Sequence, residues 1–236
     1  MTYSPEWSAI YDAGEMRGGQ SSELLILLHD FGKVYKDSNV NALELGCGLA
    51  ANYPLFKLNG FSYFGVDGSA SAVDRALEAF PELTGHILQA DFTATQFAPA
   101  FFGIVADRAA ISHNDTQSVK RCVAHIHDIL LTNGMFVGVD WFSTKHSEFW
   151  RGERVDEYTR TGYTDGQFAN VGKVHFSSQE SLKELFADFH IVMLRERLTH
   201  IPAGYPDGGY QMKFKAPFYD GKDYHSAVWD ILAVKR

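Results

Sequence analysis

Between residues 40 and 142 the chain alternates short apolar runs with amphipathic stretches, and this rhythm restricts its fold more than any other feature. "VNALEL" (40–45), "SYFGV" (62–66), "GHILQA" (85–90), "FFGIVAD" (101–107) and "MFVGVDWF" (135–142) have the length of strands. Helix patterns lie between them: one from about Ala50 to Leu58, one through "SASAVDRALEAF" (69–80), and one over 116–131. In the last, Val119, Cys122, Val123, Ile126, Ile129 and Leu130 recur at helical spacing until "NG" at 133–134 stops it. Such alternation predicts an α/β, Rossmann-like, doubly wound sheet with helices on both faces. Its crossovers are right-handed, and ligands bind where the strands end. An amphipathic helix over 20–33, with Ser21 or Ser22 as cap, precedes the sheet. Beyond 142 the rhythm breaks into a helix at 178–187, a run at 189–198, a Gly/Pro/Tyr-rich stretch at 202–221 and a strand "SAVWDILAVK" at 226–235. With no linker between these pieces, residues 1–236 read as one domain.

Composition narrows the partners. Lysine and arginine total 21 against 29 acidic residues, for a net charge of −8. That balance argues against a surface that tracks nucleic-acid phosphates. Cys47 and Cys122 are the only cysteines, too few for a disulfide framework or a cysteine-rich zinc site. The start lacks a basic segment followed by an apolar core, and Leu24–Leu28 is far too short for a bilayer span. A cytoplasmic protein without membrane contact is expected.

Gly46 and Gly48 follow the first strand and precede a helix. Glycine there permits a sharp turn and lets a ligand approach the main chain. Asp67 ends the second strand 21 residues after Gly46, near the ~20 expected of a carboxylate that holds ribose hydroxyls. An adenosine-bearing ligand follows. A dinucleotide site would want a third glycine at position 51, where Ala51 stands. Glu44, two residues before Gly46, would repel a pyrophosphate but suits a ligand carrying an ammonium or sulfonium cation. A nicotinamide dehydrogenase is therefore disfavoured.

"LELGCG" (43–48), "GVDGS" (65–69) and "QADF" (89–92) resemble the class I S-adenosylmethionine-dependent methyltransferases, small-molecule type. The resemblance spans roughly 40–142 and implies a seven-stranded sheet whose last strand is antiparallel, inserted between the fifth and sixth. It implies S-adenosyl-L-methionine as cofactor. Glu44, Gly46 and Gly48 would line its methionine part, Asp67 and Gly68 its ribose, and Asp91 and Phe92 its adenine. Alanine stands at position 50, where the family often has a third glycine. Relatives cover the cofactor with an N-terminal segment, which here would be residues 1–36 and would bring Tyr11 and Arg17 to the donor carboxylate; Trp7 is read as core.

The acceptor should lie beyond strands four and five. "DRAAISHND" (107–115) resembles a loop of small-molecule members of the family. It places Arg108, His113 and Asn114 at the pocket mouth, Arg108 on the cofactor side. His113 is the expected base, because imidazole titrates near neutral pH. After strand five, Trp141 and His146 could contact the acceptor. Residues 143–177 have few apolar runs and read as an inserted lid, with His175 in a strand-like piece at its end. The spacing of these histidines matches no metal motif, so no metal is expected. The function expected is O- or N-methylation of a small-molecule acceptor, with a homodimer compatible with the chain. The alternatives are a non-catalytic cofactor-binding partner subunit, or a protein or nucleic-acid methyltransferase.

Overall fold

A computed structural model describes residues 5–14, 19–35, 40–202 and 223–236. The strands are β1 (Asn41–Leu45), β2 (Ser62–Asp67), β3 (Ile87–Gln89), β4 (Phe102–Arg108), β5 (Leu130–Phe142), β6 (Glu153–Arg154), β7 (Thr159–Thr161), β8 (Val174–His175), β9 (Phe189–Ile201) and β10 (Tyr224–Lys235). Among the described residues seven of them form one sheet in the order β3-β2-β1-β4-β5-β10-β9. The pairs from β3 to β5 are parallel, whereas β10 runs antiparallel between β5 and β9. The last strand thus sits where the resemblance placed it.

The helices are α1 (Pro5–Asp12), α2 (Ser22–Phe31), α3 (Tyr53–Leu58), α4 (Ala70–Ala79), α5 (Thr116–Ile129) and α6 (Gln179–Leu185). Four carry a side-chain cap: Ser21, Ser69, Asp115 and Ser178 each accept from the N–H three residues on, worth about 1 kcal/mol apiece. Alternate residues of the strands face opposite layers. Leu43, Leu45 and Val105 pack with α5 and α6, while Ala42, Ile104 and Ala106 pack with α2, α3 and α4. Both faces are covered, as a parallel sheet requires. No helix among the described residues is long and apolar enough to cross a membrane.

Three elements differ from expectation for local reasons. Helix α3 starts at Tyr53, not near Ala50, because Ala50 takes φ +52°, a left-handed turn that no helix continues through. Strand β5 starts at Leu130, directly after α5, with Asn133 at φ +62° bending the chain into the sheet. The insertion 143–177 has a core of its own. Phe149, Tyr163, Phe168, Val171, Val174 and Phe176 gather on Phe142 beside the small sheet β6-β7-β8. These apolar residues lie one at a time along the sequence, so no run betrays them.

Candidate active site

The turn after β1 is built on main-chain geometry that only glycine tolerates well. Gly46 has φ +62° and a Cβ there would overlap Ala110; Gly48 has φ +52° and a Cβ there would overlap the Tyr11 hydroxyl. Asp67 braces the turn from the tip of β2. Its Oδ2 accepts from Gly48 N at 2.8 Å and its Oδ1 from Ser69 N at 2.9 Å. Burial raises its pKa, with those two N–H groups opposing. Each oxygen keeps a second lone pair for a ligand hydroxyl.

Glu44 lies beneath the same turn, 2% exposed. Asn52 Nδ2 donates to its Oε1 at 2.7 Å and the Tyr63 hydroxyl to its Oε2 at 2.6 Å. Both partners are neutral, so no cation in direct contact compensates the charge. Burial pushes Glu44 up to about 7, against the hydrogen bonds from Asn52 and Tyr63. A carboxylate held this way is stabilised by an incoming cation. Asp91 is fixed by Thr93, whose N–H and hydroxyl donate to its Oδ1 at 2.9 and 2.6 Å. Asp91, Phe92 and Gly68 complete this side of one cavity of about 580 Å³.

Across the cavity stands the turn Ile111–His113, after β4. Asp107, fully buried, shapes it: Oδ1 accepts from Ile111 N at 3.0 Å while Oδ2 accepts from Trp141 Nε1 at 2.6 Å. Burial raises Asp107 to about 7, these donors opposing. His113 forms part of the cavity wall. Its ring meets Trp7 edge-on at 4.7 Å, and Phe142 at 5.5 Å. Burial brings its pKa from 6.5 down to about 4, opposed by a hydrogen bond to the Lys173 backbone. Nδ1 is buried without a hydrogen-bond partner. Asn114 lines the cavity but spends its amide nitrogen on the turn, donating to Ile111 O at 3.2 Å.

The rim between these sides is charged. Arg108 donates to Asp140 Oδ2 at 3.2 Å and to Gly19 O at 2.7 Å. Arg197 donates to Asp140 at 2.5 Å and to Asp230 at 2.7 Å, and Arg195 also binds Asp230. Asp140 holds φ +60° where the pairing of β5 with β10 shifts register. Tyr11, on α1, reaches the cavity over Gly48, whereas Arg17 lies outside the described residues.

Three expected acceptor contacts are corrected. Trp141 is fully buried, points to Asp107 and packs on Phe136 and Phe186, so it belongs to the core; its neighbour Phe142 lines the cavity instead. His146 is 0% exposed inside the aromatic cluster of the insertion and is not part of the cavity wall. His175 is buried between Thr116 and Thr159, whose hydroxyls lie 3.3 Å from its Nδ1, also off the cavity. Trp7, read as core, is a cavity residue. Sequence reading also missed Gln167, Phe168 and Val171 from the insertion, and Arg197, Thr199, Ser226 and Val228 from β9 and β10. Only Phe142 had a signal, its place beside Trp141 at the strand end.

Residues 43–138 match the model of a methyltransferase domain. Among curated proteins none matches the sequence. Solved structures resemble it closely in fold. A SAM-dependent methyltransferase from Methanosarcina mazei aligns with TM-score 0.62 and 14% identity, over 87% of this chain and 97% of that one. An S-adenosylmethionine-dependent methyltransferase from Clostridium acetobutylicum aligns with TM-score 0.61 and 12% identity, over 98% of each chain. Magnesium protoporphyrin IX methyltransferase from Synechocystis, with SAM bound, aligns with TM-score 0.53 and 12% identity over 98% of this chain and 80% of that one. Residues 43–138 thus match a methyltransferase domain over the glycine turn, and the sheet order of the chain is the fold of the S-adenosylmethionine-dependent methyltransferases it aligns with.

Proposed function

We propose that the chain methylates oxygen or nitrogen of a small-molecule acceptor, held against His113. The observation that carries this reading is one continuous cavity. It runs from Glu44, Asp67 and Asp91 at the strand tips to His113, Trp7, Phe142 and Phe168. Its volume of about 580 Å³ is within the ordinary range of small-ligand sites.

The residues of the first side fit S-adenosylmethionine. Gly46 and Gly48 let Ala110 and the Tyr11 hydroxyl close on the turn beside the cavity, Glu44 offers a carboxylate to an ammonium, and Asp67 offers lone pairs to ribose hydroxyls. Asp91 and Phe92 would meet the adenine, with Tyr11 and Arg108 near the donor carboxylate. When bound, that cofactor supplies an electrophilic methyl group.

On the acceptor side the chain's own work is positioning, exclusion of water and proton handling. Trp7, Phe142 and Phe168 line this half of the cavity with aromatic surface. A neutral N–H or O–H acceptor must lose its proton as the new bond forms, and the neutral His113 imidazole of the cavity wall is the group assigned to take it. A ring held near pKa 4 is a weak base, suited to a proton that becomes acidic only as bonding proceeds. Residues 143–177 roof this half.

The test is incubation with S-adenosylmethionine and panels of phenols, amines, sugars and nucleotide-sugars, reading S-adenosylhomocysteine release. Turnover of one class supports the reading. Cofactor binding with no turnover of any small molecule would favour the partner-subunit or macromolecular alternatives.

A further inference from the structure

Gln167 is a polar group of the cavity wall that the insertion presents beside Phe168, and a chain of hydrogen bonds fixes which end of its amide faces outward. His146 Nδ1 accepts from Glu148 N at 3.2 Å. A neutral imidazole accepting at Nδ1 carries its proton on Nε2. That Nε2 lies 3.2 Å from Gln167 Oε1, so His146 donates and Gln167 accepts. Burial lowers His146 to about 4, the Gln167 bond opposing, and the ring stays neutral across the physiological range. The Tyr224 hydroxyl donates to the same Oε1 at 3.4 Å. The amide orientation therefore follows from the network. Gln167 nitrogen has no acceptor among the described residues, and it is what this side chain has left to offer the cavity.

The neighbouring wall is apolar: Trp7, Phe142, Phe168 and Val171. It supplies no counter-charge, and the arginines of the rim are engaged with Asp140 and Asp230. We propose that Gln167 donates a hydrogen bond to an uncharged, carbonyl-type oxygen on a ring-sized apolar acceptor, and that His146 is the positioning residue that sets this polarity. The inference rests on the small-molecule reading above and adds the acceptor class to it. It also gives His146 its place: it acts through Gln167 without touching the acceptor.

The test uses the protein saturated with S-adenosylhomocysteine and two matched probe pairs, para- and meta-hydroxyacetophenone against para- and meta-ethylphenol, measured by calorimetry. Each pair differs in the carbonyl oxygen. One neutral hydrogen bond is worth roughly a three- to tenfold preference for the ketone in at least one pair. Gln167→Leu and the near-isosteric Gln167→Glu should each abolish the preference while S-adenosylhomocysteine affinity, which also reports folding, is unchanged. Nitrogen NMR of the imidazoles should show His146 as the Nε2–H tautomer through neutral pH. Equal affinities in the wild type, a preference surviving both variants, or the Nδ1–H tautomer would each overturn the assignment and leave the small-molecule reading standing. Failure of all four probes to bind would overturn this acceptor class, and the release screen then decides the small-molecule reading separately.

Discussion

Replacing Glu44 by glutamine should make the protein more stable and a poorer binder, with a defined pH signature. In the folded chain its carboxyl is raised from 4.5 to about 7, chiefly by burial. Because the folded value lies above the unfolded one, its contribution is fully present below the unfolded pKa and is lost as pH rises through the folded pKa. At roughly 1.36 kcal/mol per tenfold change, the ionised group costs about 3 kcal/mol of stability above pH 7. Glutamine copies the protonated form: its oxygen can accept from Asn52, and its nitrogen can donate to the Tyr63 oxygen, which tolerates either role. In urea titrations without ligand, Glu44→Gln and the wild type should therefore agree near pH 4. The variant should gain through the interval between the two pKa values and hold a lead of about 2–3 kcal/mol at pH 8. Calorimetry on the same samples should show the opposite ranking for S-adenosylmethionine. Wild-type affinity should rise with pH up to about 7 and that of the variant should be weak and flat. A stability difference that does not change with pH would refute the raised pKa, and equal cofactor affinities would remove Glu44 from the ammonium.

Asp67→Ala should weaken S-adenosylhomocysteine binding roughly ten- to hundredfold, since ribose hydroxyls lose a charged acceptor worth ~1.5–3 kcal/mol; an unchanged dissociation constant in the folded variant would take Asp67 out of the site. His113→Ala should lower turnover about 10²–10⁴-fold and leave cofactor affinity nearly intact, whereas equal losses in both would mean that the ring only supports the pocket. With donor saturating, the acid limb of turnover assigned to His113 should fall near pH 4, not at 6.5, because the base works only while neutral; a limb at the ordinary value would show the ring to be solvated.

The half of the cavity proposed for the donor was legible because its geometry is local. A turn between one strand and one helix, with one acid at the next strand tip, has a fixed spacing, and Gly46, Gly48 and Asp67 sit at it. The acceptor half is assembled from segments far apart in sequence. Gln167 and Phe168 come from an insertion whose apolar residues show neither helical nor strand period. Arg197 and Ser226 belong to neighbouring antiparallel strands, and nothing in their flanking residues marks the end that meets the cavity. Trp141 was misplaced for a more specific reason. Along a regular strand the faces alternate, but Asp140 at φ +60° interrupts β5 at its last residues. Which of Trp141 and Phe142 turns inward depends on that irregularity and on Asp107, whose bond to the indole draws Trp141 into the core. Ala50 is a milder case: the alanine adopts the left-handed turn that a glycine would take without strain, so only the helix start moved.

Helix α1 gives the site a thermodynamic property that neither half has alone. Its Tyr11 stands over Gly48 in the donor half, while its Trp7 packs on His113 in the acceptor half. The helix has only eight residues, too few to persist without tertiary contacts; besides Tyr11 and Trp7 it is held by Ile10 against the apolar cluster of the insertion and by polar bonds from Ser71 to Asp12 and from Arg75 to the Tyr11 carbonyl. Whatever fills the donor half and holds Tyr11 meets part of the ordering entropy of Trp7 in advance, so the second ligand finds its wall already in place. Occupancy of the two halves should then be positively coupled, and linkage would make the coupling reciprocal. Amide hydrogen exchange reads it directly: S-adenosylhomocysteine alone should slow exchange along α1, and exchange there that ignores the cofactor would leave the two halves independent.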